Sequence, residues 1–349
     1  MSPPRRLLAL PLAASAMVLT AFAQPRDADG RFRNEDGPPP AGLGAVLRWG
    51  VWDRITGKRR PPAERPPAPA VAPDLALLAT PPPPGEPARV TWLGHASFLV
   101  QLDGVSLLVD PALRPGIFGG VERKVPPGIP IESLPPIDAV LVTHSHFDHL
   151  DLPTVEAVGA PVVAGLGLER FFRDRKLFAT ELGWWSETRV RGVRITFVPA
   201  QHWSRRGLFD TNHTLWGGFV IEGSRATVYH SGDTAWFDGF KEIGARFPRI
   251  DVALLPVGAY EPAWFMERQH LNPEQALRAF QDLGAATFVP MHWGTFRLAD
   301  EPLDEPPRRV EAERRRLGLD PGRVRVLAVG ETLVVGRGAD LRADAHPPE

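Results

Sequence analysis

A chain of 349 residues with 43% hydrophobic, 23% charged and 9% aromatic residues has an ordinary globular composition, long enough for one large domain or two. A formal net charge of −1 excludes a nucleic-acid partner gripped through bulk electrostatics. The absence of cysteine excludes disulfides, thiolate ligands and thiol nucleophiles, so histidine and carboxylate must hold any metal. At the N-terminus, Arg5-Arg6 precedes an apolar run over residues 7–22, and Ala21-Phe22-Ala23 has the small-x-small form of a cleavage site. Residues 1–23 are therefore expected to be a signal peptide, and the mature protein to be exported, periplasmic or secreted. The alternative is an uncleaved membrane anchor, although the run falls short of the roughly 20 residues a span requires.

Residues 24–88 carry 15 of the 39 prolines, in runs such as Pro38-Pro39-Pro40 and Pro81-Pro82-Pro83-Pro84. Proline offers no backbone N–H, so this stretch reads as a semi-rigid linker or surface wrap. Within it, Leu47-Arg48-Trp49-Gly50-Val51-Trp52 is an island expected to dock on the main body as a short helix.

From residue 89 the texture changes. Segments 89–93, 97–102 and 105–110 read as short strands, with Leu102-Asp103-Gly104 as a hairpin turn. Segment 137–143 is nearly continuous in apolar residues, the pattern of a strand buried on both faces, and 194–199, 218–222, 226–230, 252–257 and 287–291 repeat it. The clearest helix starts after Asn272, a good N-cap, with Pro273 at its first position and Gln275 placed to close a capping box. Leu277, Phe280 and Leu283 form its apolar stripe, and Gly284 stops it. Strand-rich halves with outer helices predict an α/β sandwich of two packed mixed sheets flanked by helices. One catalytic domain is expected over 89–335, followed by a polar tail at 336–349.

The stretch that carries chemistry is His144-Ser145-His146-Phe147-Asp148-His149, where a hydrophobic strand ends and four ligand-type side chains follow within six residues. His144 and His146 alternate along an extended chain and so point to one side. Asp148 and His149 follow where the chain turns toward a helix near Pro153. One loop can thus serve two metals, but it cannot fill two coordination spheres alone. His202, Asp233 and His292 each lie just beyond a predicted strand, where layered α/β folds gather their functional loops. A single His or Asp is more often a hydrogen-bonded structural residue, but seven together exceed what one zinc uses.

This ordered set, with Asp233 in a Gly-Asp-Thr context, resembles the ligands of metallo-β-lactamase-fold hydrolases. The resemblance implies the αββα sandwich of that fold and two Zn²⁺ ions. His144, His146 and His202 would hold one ion, Asp148, His149 and His292 the other, and Asp233 would bridge them. Asp110, in Leu-Val-Asp-Pro, would support the histidine loop from behind. The strings around His95, His202, Trp216, Tyr260 and His292 further resemble the N-acylphosphatidylethanolamine-hydrolysing phospholipase D group, over about residues 31–307. That resemblance implies phosphodiester hydrolysis on an N-acylated phospholipid. Asp148 is then both ligand and proton acceptor. His270, in Gln269-His270-Leu271-Asn272-Pro273, matches a substrate-contacting residue of that group, which would bind phosphate or protonate the leaving group; a surface histidine near a helix start is the alternative.

Trp184, Trp185, Trp203, Trp216, Tyr260, Trp264 and Phe265 are expected either to give an apolar surface near the site loops or to pack in the core. Trp203, Tyr260 and Trp264 are the candidates to meet an acyl chain, so the expected partner is a lipid or other phosphodiester small molecule, with peripheral membrane contact. Arg205-Arg206 could meet a phosphate. His95 and His230 are candidates to support the ligands, with a buried structural role as the alternative. The rival functions are lactone or β-lactam hydrolysis on the same metals, and non-catalytic lipid binding; a complete ligand set argues against the last.

Overall fold

The computed structural model describes residues 23–35, 37–39, 41–59 and 64–336, so nearly all of the expected signal peptide and of the polar tail lies outside the described residues. Strands β1 (Ala88–Gly94), β2 (Ser97–Leu102) and β3 (Val105–Val109) form an antiparallel meander. Asp103 and Gly104 close its second turn with φ of 51° and 75°, the two-residue hairpin geometry that Asp-Gly favours. After a small hairpin of β4 (Gly116–Ile117) and β5 (Val121–Glu122), the chain adds β6 (Ala139–Val142), β7 (Val162–Gly165) and β8 (Ala179–Leu182) in parallel beside β3.

A second sheet begins with β9 (Glu187–Val190), β10 (Val193–Val198), β11 (Gly218–Glu222) and β12 (Thr227–His230), antiparallel in turn. It continues in parallel with β13 (Val252–Pro256) and β14 (Thr287–Met291). Strand β15 (Thr332–Val335) returns to pair with β1. The orders are β15-β1-β2-β3-β6-β7-β8 in the first sheet and β14-β13-β12-β11-β10-β9 in the second.

Side chains alternate across a strand, and that period of two sorts each strand's residues between two cores. Phe98, Val100, Leu107, Val109, Ala139 and Leu141 face the second sheet and share a core with Ile195, Phe197, Phe219, Ile221 and Leu254. Leu99, Leu108, Val140 and Val142 face outward, under Leu152 and Val155 of the helix Leu152–Val158. This double burial explains the continuous apolar run that ends at the metal loop. On the far side, the helix Pro273–Leu283 packs on β13 between Gly239–Arg246 and Glu305–Arg316. Its start is fixed by a capping box between Asn272 and Gln275, a device worth about 1 kcal/mol.

The proline-rich segment lies along this body. Phe32 is buried in the core, and the Gln24 side chain accepts a hydrogen bond from the Trp184 backbone N–H. Residues 43–55 are continuously helical, with a π-wound turn at Arg48–Trp52. Trp49 stacks on Phe265 at 5.1 Å and donates to Asp300, whereas Leu47, Val51, Trp52 and Ile55 remain exposed. Among the described residues no helix is long and apolar enough to cross a membrane.

Candidate metal centre

Parallel pairing of β3 with β6 sets the base of the centre. It brings Asp110, just past the end of β3, beside Thr143, just past the end of β6. Asp110 is fully buried and accepts three hydrogen bonds, from the Thr143 N–H (2.8 Å), the Thr143 hydroxyl (2.6 Å) and His149 Nδ1–H (2.7 Å). Because the Thr143 hydroxyl gives its proton to Asp110, it accepts from His144 Nδ1–H (3.0 Å). Each imidazole is thereby left with Nε2 free to bind. Asp110, His95 and His292 all have positive φ (44°, 56° and 64°), a backbone region costly for side chains of this kind and held only by dense surroundings. The outer face of the loop is braced by Arg206, whose guanidinium donates to Ser145 O (3.0 Å) and Leu150 O (2.7 Å) and so ties both ends of the hexapeptide together.

Two four-membered groups of ligand atoms result, the atoms of each within 4.8 Å of one another, and Asp233, His270 and His292 make a third that overlaps them. His144, His146, His202 and Asp233 form one; His95, Asp148, His149 and His292 form the other. In the first, His146 Nδ1 lies 2.8 Å from His144 Nε2 and 3.2 Å from His202 Nε2. A tetrahedral ion with Zn–N bonds of 2.0–2.1 Å spaces its nitrogens about 3.3 Å apart, close to this arrangement. His202 Nδ1–H is spent on Gln269 O (2.8 Å), so its Nε2 faces the centre. Asp233 stands between the groups: its Oδ2 is 3.2 Å from His149 Nε2 and 3.8 Å from His202 Nε2, and its Oδ1 is 3.2 Å from His292 Nε2.

The residues fit metal by a second test. His149 Nε2, His292 Nε2 and Asp233 Oδ1 are buried with no hydrogen-bond partner among the described residues. Buried polar atoms are rarely left so, because an unsatisfied one costs about 1–3 kcal/mol. All three belong to the groups whose ligand atoms converge, so a bound cation would satisfy them.

Charge divides the groups further. Burial and the neighbouring imidazoles push His144 and His146 well down, His146 to about 4; burial and neighbouring imidazoles also hold His202 low against the pull of Asp233. Burial alone would lower His292 as well, but Asp233 and Asp148 outweigh it and hold it at about 9; His149 is likewise raised well above its ordinary value. Burial opposes ionisation of Asp148 and Asp233, yet the surrounding histidines keep both carboxylates far below the usual range.

The other expected site residues fall into place unevenly. His95 Nε2–H donates to Asp148 Oδ2 (2.9 Å), and its ring lies 3.9 Å from that of His292. His270 joins the centre, with Nδ1 3.9 Å from Asp233 Oδ2 and no hydrogen-bond partner. Trp203 stands edge-on to His146 at 4.6 Å. Tyr260 and Trp264 stand apart from the ligands. Tyr260 is buried with its hydroxyl on Glu305 (2.7 Å), and Trp264, about a third exposed, packs with Arg48 and Phe265. Trp184 and Trp216 do not join a surface near the site: both are buried, their indole N–H groups held by Trp216 O and Ala200 O. His230 has a structural role, accepting from the Gly232 N–H at Nδ1 and donating to Ala96 O. The brace from Arg206 and the contact of Asn34 with His202 have no motif in the sequence. Phe32, an isolated aromatic in a polar stretch, was the available sign that residues 24–35 are anchored.

With this geometry in hand, comparison with known proteins is specific. A family model described as Beta-lactamase superfamily domain matches residues 106–293. An uncharacterized protein of Mycobacterium tuberculosis is 37% identical over 328 residues, covering 86% of this chain and 83% of its own length. An N-acyl-phosphatidylethanolamine-hydrolyzing phospholipase D of Caenorhabditis elegans is 39% identical over 228 residues, covering 60% of this chain; the match spans 64% of that relative's length. A solved metallo hydrolase of the archaeon Ignicoccus hospitalis is 26% identical with a TM-score of 0.55, covering 71% of this chain and 98% of its own. The chain belongs to the beta-lactamase superfamily and is a metal-dependent hydrolase of the metallo-β-lactamase fold.

Proposed function

We propose that the chain is an exported dinuclear zinc hydrolase of phospholipase D type, which cuts an N-acylated phospholipid between its phosphate and its N-acylethanolamine. The observation that carries the metal number is Asp233, whose two carboxylate oxygens face histidines of both ligand groups. Zinc ions held by His144, His146 and His202 and by Asp148, His149 and His292, with Asp233 shared, would lower the pKa of water and neutralise charge on phosphoryl oxygens.

The chain's own groups do the rest. Asp148, fixed by His95, is the ionised carboxylate best able to accept a proton beside the reacting phosphate. His270, with an Nδ1 facing the centre and no hydrogen-bond partner for it among the described residues, is held neutral by burial, which lowers it to about 4, and so serves to bind a phosphoryl oxygen. The lipid is supported by the name of the worm relative. It is also supported by apolar side chains on loops near the site. Phe118 stacks on Phe147 of the metal loop at 4.3 Å, and Leu208 and Phe209 stand almost fully exposed on the loop after His202. Away from the ligands, Trp264 packs beneath the helix that exposes Leu47, Val51, Trp52 and Ile55. Exposed apolar groups of this kind favour peripheral contact with a lipid surface. Export rests on the sequence pattern at 1–23; a mature N-terminus near Gln24 is expected, and an intact Met1 in a membrane fraction would instead establish an anchor.

A substrate panel tests the reading. Purified zinc-loaded protein should release phosphatidic acid from vesicles containing N-acylated phosphatidylethanolamine faster than it opens lactones or a chromogenic β-lactam. Turnover confined to the lactones or the β-lactam would overturn it.

A further inference from the structure

Asn34 lies 72 residues before the matched family region begins, yet it touches a metal ligand directly. Its Nδ2 donates to His202 O (2.9 Å), and its Oδ1 accepts from the His202 N–H (3.3 Å) and from Trp216 Nε1–H (3.1 Å). A carboxamide has both a donor and an acceptor, so one side chain serves both backbone groups of His202 as a neighbouring strand would. The residues on either side are tied within the domain: Gln201 N–H donates to Thr234 and Gln201 O accepts from Ala235 N–H, while Ser204 N–H donates to Asn212. For His202 itself, the ring is set by Gln269 and the backbone by Asn34.

The segment carrying Asn34 is built to stay in place. Phe32 is buried in the core, its N–H donates to Asn212 O (2.9 Å), and Arg26 covers its ring at 3.8 Å. The Arg33 N–H closes back on Pro25 O (3.1 Å). Asn34 is thereby presented to a ligand 168 residues further along the chain.

We propose that Asn34 is a positioning residue for His202, so that the proline-rich wrap is part of the metal centre rather than a linker to it. Removing the carboxamide takes away both of these hydrogen bonds, and His202 then loses its fixed approach to His144 and His146. Losing a support of this kind typically weakens metal binding about 10–100-fold. The inference rests on the assignment of His202 as a ligand.

The test uses the full mature chain, stripped of metal and titrated with Co²⁺ and with Zn²⁺ against a competing chelator. Asn34→Ala should weaken the binding of one ion at least about tenfold, with a changed visible Co²⁺ spectrum, and leave the other within about twofold. Asn34→Asp keeps the acceptor for the His202 N–H and should fall between wild type and the alanine variant. It is the readout should Asn34→Ala fail to fold. Gln24→Ala removes a hydrogen bond from the same segment without touching His202, and should leave both affinities and the spectrum unchanged. Unchanged affinities and spectrum in both Asn34 variants, or an equal loss in Gln24→Ala, would overturn the proposal. His202→Ala, measured alongside, separates this outcome from a failure of the ligand assignment: if it too retains both ions and the spectrum, His202 is not a ligand.

Discussion

On one side of Asp233 stand His144, His146 and His202; on the other stand Asp148, His149 and His292, with His95 behind them. Both groups are buried and drawn from the same residue types, but the first is a cluster of neutral imidazoles and the second pairs histidines with a carboxylate. The three-histidine side is ready for a cation once pH exceeds about 4, where His146 is neutral. On the carboxylate side, Asp233 and Asp148 raise the affinity of His149 and His292 for protons, so that a metal there competes with protons for the same nitrogens. The lesson is that equal ligand counts do not make equal sites: the carboxylates that later bind the metal stabilise its competitor, the proton, until it arrives.

The largest expected effect comes from deleting what the two sides share. Asp233→Ala should drop metal content below one ion per chain and cost far more activity than the 10–100-fold typical of a supporting residue. Retention of two ions, measured by elemental analysis, would separate the sides completely and break the picture of a common ligand. Next, Asp110→Asn should weaken metal binding about 10–100-fold on the carboxylate side, where Asp110 holds His149 directly, and less on the three-histidine side, which it reaches only through Thr143 and His144. An equal loss on both sides would mean that Asp110 supports the whole loop.

The pH dependence sharpens the contrast. His292 is raised to about 9, so the metal-free centre holds its proton at neutral pH and loses it as pH rises through that value. Affinity on that side should climb about tenfold per pH unit for each proton displaced between roughly pH 7 and 9, with proton release seen by calorimetry in buffers of different ionisation enthalpy. Affinity on the three-histidine side should stay flat over the same range. The reverse assignment would contradict the charge distribution described. Smallest of all, replacing both Leu208 and Phe209 by Ser should slow hydrolysis of vesicle substrate about fivefold, equivalent to about 1 kcal/mol of apolar contact, and leave a soluble short-chain substrate unaffected. An equal slowing on both would place these residues in folding or chemistry instead.

Much of the centre was legible because its chemistry is local. The hexapeptide at 144–149 puts four ligands on one loop, and His202, Asp233 and His292 each follow an apolar strand, so their convergence needed only the layered fold. The helix after Asn272 was equally plain, since its cap, first proline and stop glycine are all adjacent in sequence. Strands β7, β8, β9 and β15 were not; for β8 and β9 the physical reason is that they lie at sheet edges, with Glu181, Glu187 and Arg189 among their residues. Edge strands are held by pairing more than by an apolar pattern. Trp184 and Trp216 stayed undecided because a tryptophan in a core and one in a substrate groove look identical until packing is known. Asn34 could not be found at all from its neighbours, because its meaning lies in a partner far along the chain.

The most direct measurement follows product release while metal-free protein is titrated with zinc. Release of phosphatidic acid from N-acylated phosphatidylethanolamine should rise to a plateau at two zinc ions per chain, with an N-acylethanolamine formed in equal amount. A plateau at one ion, or full zinc loading with no phosphatidic acid released, would contradict the account.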